Sequence, residues 1–193
     1  MDLSAITMTQ WAIVIAIAVV LVVAGIAIWM SARKRHTKKL HSQFGDAEYA
    51  RTVEEGGSRR KAEAALDDRA ERVKKLNIRP LATGDRARFI EAWSTVQARF
   101  VDGPGGAVID ADRLLGDVMS ARGYPVSDFD QRSADISVDH PLVLENYRAA
   151  HRIALQQAQG QASTEELRQA MIHYRTLFEE LVAAPELAHA KSA

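Results

Sequence analysis

Residues 89–100 read FIEAWSTVQARF. Phe89, Trp93, Val96 and Phe100 recur at steps of four, three and four, so a helix of 3.6 residues per turn gathers all four on one face. An extended strand would divide them between its two sides. This stripe therefore predicts a helix near 84–101 that buries an aromatic face against other helices.

The same rhythm continues downstream. Asp102-Gly103-Pro104-Gly105-Gly106 breaks the chain, and Val108, Ala111, Leu115 and Val118 resume the spacing until Gly123 stops it, which predicts a second helix over 105–122. Tyr124-Pro125-Val126 reads as extended, and Ser127 with Asp130 opens a short helix reaching about Asp135. Asp139-His140-Pro141 is a helix start, because proline's missing N–H has no intrahelical partner in a first turn. Val143, Tyr147, Ala150 and Ala154 then share a face over 140–159, and Gly160 ends it. Ser163 with Glu166 spells a capping box for a last helix over 164–183, whose inward residues are Leu167, Ala170, Met171, Tyr174, Phe178 and Leu181, with Pro185 as its stop. No segment alternates with period two, so no sheet is expected. The expected fold class is all-α: a bundle domain over 77–183 with four main helices and one short one, and a flexible tail at 184–193.

Upstream the pattern thins. Pro80 interrupts 77–83; before it, Arg59–Leu76 is dense in Arg, Lys, Glu and Ala and carries apolar residues only at Ala62, Leu66, Val73 and Leu76. That is barely enough for a coiled-coil seam. The segment 44–76 reads as a charged helical linker, its second helix either a solvated stalk or docked on the domain, with self-association through 59–76 also open. Ser58 caps its second helix, and Gly56-Gly57 close a first one over Phe44–Glu55.

Further upstream, Trp11 to Met30 contains no charged residue. A helix of that length spans roughly 30 Å, the thickness of a bilayer core. Trp11 and Trp29 stand near its ends, where an indole prefers the lipid–water interface. A cleavable secretory signal begins with basic residues, whereas residues 1–10 hold Asp2 and no Lys or Arg. Arg33, Lys34, Arg35, Lys38 and Lys39 follow the span in the basic segment 31–43, and such charge is biased to the cytoplasm. The expectation is one transmembrane helix over 11–30, a short N-terminal tail (1–10) outside and the C-terminal part in the cytoplasm. The five basic residues also face anionic headgroups, an attraction of about 1 kcal/mol each.

Composition narrows the function classes. The 193 residues hold 25 Lys+Arg, 25 Asp+Glu and no cysteine, which removes disulfide scaffolds, thiol catalysis, iron–sulfur clusters and cysteine-ligated zinc. All 25 basic residues lie beyond the span, and without the five that flank it the rest of the chain is mildly acidic, so no nucleic-acid footprint is expected. Gly103, Gly105 and Gly106 lack the strand and the Gly-Lys-Ser/Thr of a phosphate loop. Ser137, Asp139 and His140 have triad residue types but read as helix-entry residues. Glu186 and His189 form a single Glu-x-x-His, where a di-iron bundle needs two. His36 and His41 lie in the basic strip. No metal, cofactor or catalytic residue is assigned. Tyr147, His151, His173 and Tyr174, on the last two bundle helices, are the ligand-site candidates. His151, one turn after Tyr147, reads first as a half-buried residue hydrogen-bonded to a neighbouring helix.

The stretches Arg122-Gly123-Tyr124-Pro125-Val126, Asp128-Phe129, Gln131-Arg132, Ser137-Val138-Asp139-His140-Pro141 and Tyr147-Arg148-Ala149-Ala150-His151 give the chain a resemblance. Together with Leu167-Arg168-Gln169-Ala170-Met171 and His173-Tyr174-Arg175, over about Phe44 to Val182, it resembles a group of uncharacterised bacterial single-pass membrane proteins with a helical soluble domain. The resemblance implies that architecture and a bacterial origin, and it brings no assigned activity and no catalytic residue; with the orientation read above, the expected location is the bacterial inner membrane. The combined expectation is a non-enzymatic, membrane-anchored interaction or scaffold protein serving the envelope or stress adaptation. It would be assembled around Phe89, Trp93, Phe100, Tyr147, Tyr174 and Phe178, with the lipid bilayer and an unidentified protein as partners. The alternatives are a small-ligand or metal-binding bundle using His151 and His173, and an anionic-lipid sensor at 33–39.

Overall fold

The computed structural model describes residues 8–125 and 127–183. Of the expected N-terminal tail (1–10), residues 1–7 lie outside the described residues and residues 8–10 are instead the first residues of α1; the expected tail at 184–193, with Pro185, Glu186 and His189, also lies outside the described residues, as does Val126. Among the described residues the chain is all-helical, with seven helices and no strand: α1 Met8–Gly56, α2 Arg59–Lys74, α3 Thr83–Arg99, α4 Pro104–Arg122, α5 Phe129–Asp139, α6 Pro141–Ala158 and α7 Thr164–Ala183. It divides into two compact units, Met1–Ser42 and Gln43–Ala193.

In the first unit α1 carries a stretch long and apolar enough, by length and composition, to cross a membrane. Its described side chains from Trp11 to Met30 are all exposed. A helix that is apolar all round has no hydrophilic face to offer water, which separates it from the amphipathic helices of a soluble core. The Arg33 guanidinium lies 5.5 Å from the centre of the Trp29 ring, a cation–π contact at the end of the apolar stretch.

In the second unit, Gly45 leaves the helical region (φ 77, ψ 162), so α1 is two helices joined at that glycine. The later helices begin and end where local chemistry directs. Ser58 accepts a hydrogen bond from the Lys61 N–H ahead of α2. Pro104 and Pro141 occupy first turns. The Ser163–Glu166 capping box forms in both directions, with Ser163 N–H donating to Glu166 and Glu166 N–H donating to Ser163 Oγ. The short helix differs from expectation. Asp128, not Ser127, is its cap, accepting from Gln131 N–H at 2.8 Å, and it runs on to Asp139. A carboxylate accepts that bond with more charge than a hydroxyl does.

The core lies where α7 packs on α6 and α4, with α3 closing against α4. Phe89, Trp93 and Val96 are buried as the stripe predicts, and the Trp93 and Phe178 rings stack with centroids 4.7 Å apart. Phe100 is only partly buried, because α3 ends at Arg99 and Phe100 is its cap residue. α5 leans on α6 and on α2. Of the two arrangements expected for the charged helix, it takes the docked one: Ala62, Leu66 and Val73 are buried, and 44–76 belongs to the same compact unit as the bundle. Its thin apolar face is consumed inside the unit, which leaves no seam for a coiled coil.

Arg122 shows how the helix ends are tied. Buried in the unit, it donates from Nη1 to the Leu181 carbonyl at 3.1 Å and from Nε to the Arg79 carbonyl at 3.4 Å. A cation at the last turn of α7 satisfies a carbonyl that has no intrahelical partner. Beside it the backbone is crowded. Gly123 has φ +97, and a Cβ there would sit 2.3 Å from the Asn77 carbonyl oxygen. Gly123→Ala is therefore expected to lower unfolding stability by about 2 kcal/mol or more, combining left-handed strain with a backbone clash. Gly160→Ala, with φ +69 and open space around it, should lose only the conformational part, roughly 1 kcal/mol. Equal losses in chemical denaturation would show that the clash relaxes freely.

Candidate functional site

Four helices deliver polar side chains to one point inside the second unit. Asp112 comes from α4, Arg132 from α5, Tyr147 and His151 from α6, and Tyr174 from α7. Each stands on the inward face of its helix, where the apolar spacing of its neighbours carries it in. Tyr174 Oη donates to Asp112 Oδ1 at 3.1 Å, and Arg132 Nη2 lies 3.6 Å from Asp112 Oδ2. The Arg132 guanidinium lies 6.0 Å from the Tyr147 ring centre. Phe129 of α5 fills the space beside them, stacking on the His151 ring at 3.6 Å and 5° and meeting Tyr147 at 4.9 Å.

His151 does not make the expected hydrogen bond. Its Nδ1 stands 4.0 Å from Asp112 Oδ1, beyond hydrogen-bond reach, and is buried with no hydrogen-bond partner among the described residues, as is the Tyr147 hydroxyl. Stacking on Phe129 sets the ring orientation instead. Burial lowers the His151 pKa, with the Arg132 charge adding to the effect and Asp112 and Asp130 opposing it. Burial likewise drives the Tyr147 and Tyr174 hydroxyls well above the ordinary phenol range, reinforced by the Asp112 carboxylate. The cluster is thus built of protonated phenols and an imidazole that favours its neutral form around one carboxylate.

Of the four sequence candidates, Tyr147, His151 and Tyr174 converge here. His173 does not: its Nδ1 sits 2.8 Å from Asn146 Oδ1. Ser137, Asp139 and His140 serve separate partners. Ser137 Oγ donates to the Ala134 carbonyl, Asp139 accepts from Tyr124 Oη, and His140 Nδ1 lies 3.0 Å from Glu180. Among the described residues no group of three His, Asp or Glu side chains is placed to hold a metal ion.

Beside His151 the surface opens into a groove of about 660 Å³, with Phe129 and Leu155 as its apolar part and Arg148, Arg152 and Asp130 among its polar lining. Behind Arg148 lies a buried carboxylate that sequence reasoning missed. Glu48 accepts from Arg69 Nη1 at 2.6 Å and from Arg148 Nη1 through its other oxygen, so the second part of α1, α2 and α6 meet on one acid. Burial opposes the charge on Glu48, but hydrogen bonds and charge from Arg148 and Arg69 outweigh it and hold the carboxyl below its usual range. A second buried acid, Asp135, takes Nε and Nη2 of Arg72 at 3.1 and 2.9 Å and the Gln131 amide at 2.8 Å. No local signal marks Asp112, Arg132, Glu48 or Arg148, since every one of their partners across helices is distant in sequence. Searches against protein families, curated proteins and solved structures find no match to the chain.

Proposed function

We propose that this chain is a single-pass membrane protein whose helical unit is a non-enzymatic interaction module. In this reading the N-terminus lies outside a bacterial inner membrane and residues beyond Lys39 lie in the cytoplasm. The observation that carries it is the apolar part of α1, whose described side chains find no burial in the protein and so call for a lipid environment. Arg33, Lys34, Arg35, Lys38 and Lys39 support the orientation and supply contacts to anionic headgroups. The interior of the second unit supports the interaction role: Glu48, Asp112, Arg122 and Asp135 each tie helices together, which suits a rigid platform.

The absence of native cysteine makes topology directly measurable. In intact cells an impermeant maleimide is expected to label Ser4→Cys and to reach Gln161→Cys only after permeabilisation, and the protein is expected to stay in the membrane on alkaline extraction. The reverse labelling pattern, or release by alkali, would overturn the placement. Turnover of a metabolite panel abolished by one polar substitution would overturn the non-enzymatic role. A second reading, small-ligand binding at the His151 groove, is favoured by that groove's mixed lining, where Phe129 and Leu155 lie beside Arg148, Arg152 and Asp130, and it no longer includes His173.

A further inference from the structure

Where α3 and α7 meet at the surface lies a groove of about 290 Å³. The stacked rings of Trp93 and Phe178, together with Val182, are nearly buried beneath it, while Ile90 stands 49% exposed at its edge. Its charged lining is Arg86, Arg175 and Glu179. Arg175 and Glu179 are joined to each other at 2.6 Å, whereas Arg86 has no acid partner among the described residues. An apolar trough is thus combined with one surplus positive charge in the first turn of α3.

The chain itself supplies a match. Ala183, the last residue of α7, lines the groove, so the residues that follow set out from its mouth. Pro185 opposes further helix and disfavours helical geometry at Ala184, so a change of direction is encoded there. Glu186 and Leu187 come next, and Leu187 is the only large apolar residue from 184 to 193. Four extended residues beyond Ala183 span up to about 14 Å, whereas the four helical residues from Val182 back to Phe178 span about 6 Å. Leu187 is therefore within reach of the Trp93 and Phe178 rings, and Glu186 of Arg86. Exposed ion pairs contribute little, so that pair sets the direction of the segment and apolar burial supplies the hold. Tethering favours this occupant over a free one, because a segment joined by a few residues is present at an effective concentration on the order of millimolar.

We propose that the α3–α7 groove is a docking surface for the chain's own segment 184–193, with Leu187 over Trp93 and Phe178 and Glu186 facing Arg86. The docked segment closes this face to other proteins until it is displaced. The inference stands on α3, α7 and the residues that follow, and does not depend on the interaction reading.

The lack of native cysteine permits a clean thiol probe. Full-length protein in neutral detergent carries Ile90→Cys or, as a control outside the groove lining, Ile109→Cys, and the rate of maleimide labelling is measured. Both positions are about half exposed, at 49% and 47%, so both variants should fold. Leu187→Asp is expected to speed labelling of Ile90→Cys by about fivefold or more and to leave Ile109→Cys unchanged, because it withdraws the apolar cover from that groove alone. Arg86→Glu should speed labelling of Ile90→Cys by about twofold, and adding Glu186→Arg should reverse this. Under mild oxidation, Ile90→Cys with Leu187→Cys should form a disulfide within one chain. Unchanged labelling on Leu187→Asp, or equal acceleration at both positions, would overturn the proposal, and a disulfide-linked dimer would overturn it in favour of a second copy as the occupant.

Discussion

Arg148→Ala is expected to destabilise the helical unit by roughly 3–5 kcal/mol, the usual loss when one partner of a buried ion pair is removed. Glu48 is only 3% exposed, and without Arg148 its charge rests on Arg69 alone. At this size the loss corresponds to a fall of roughly 10 °C in the unfolding midpoint. The paired variant Glu48→Leu with Arg148→Met should recover much of it, since an apolar pair leaves no uncompensated charge inside. Comparable losses in the single and paired variants would show that shape, not charge, matters here. Acid has a related effect. The folded protein holds Glu48 below the ordinary carboxyl range, so the unfolded chain binds more protons there as pH falls. The contribution of Glu48 is complete above the ordinary glutamate pKa and is lost as pH drops through the lower folded value. Glu48→Gln should accordingly flatten the acid limb of the stability curve, and an unchanged limb would refute the assignment.

Trp93→Ala should be comparably severe, at about 3–5 kcal/mol, because the indole is buried against α7 and stacks on Phe178 within 16° of parallel. Trp93→Phe keeps a ring in the same slot and should lose much less. Denaturant unfolding of the two variants checks this. If Trp93→Ala loses under 1 kcal/mol, the α3–α7 contact is not part of the cooperative core.

These two residues also mark how legible the protein was. Trp93 announces itself: its spacing from Phe89 and Val96 is a local pattern, and any helix built on it must bury that face. Glu48 and Arg148 carry no such mark, because each looks like an ordinary exposed charge on a polar helix, and 100 residues separate them. His151 falls between these cases. Its place on an inward face was readable, but its stacking on Phe129 and its missed bond to Asp112 depend on how α5 and α4 approach α6.

What the sequence by itself determined is therefore most of what local physics controls: the apolar stretch, the helices and, apart from the cap and length of α5, the caps and glycines that end them. Tertiary structure alone decided that 44–76 docks on the bundle, that Asp112 draws Tyr174 and Arg132 together, and that Arg69 and Arg148 meet on Glu48. Periodicity reports which face of a helix is buried. It does not report which other helix will lie against that face, and the energy of a buried charge depends on what that neighbour brings.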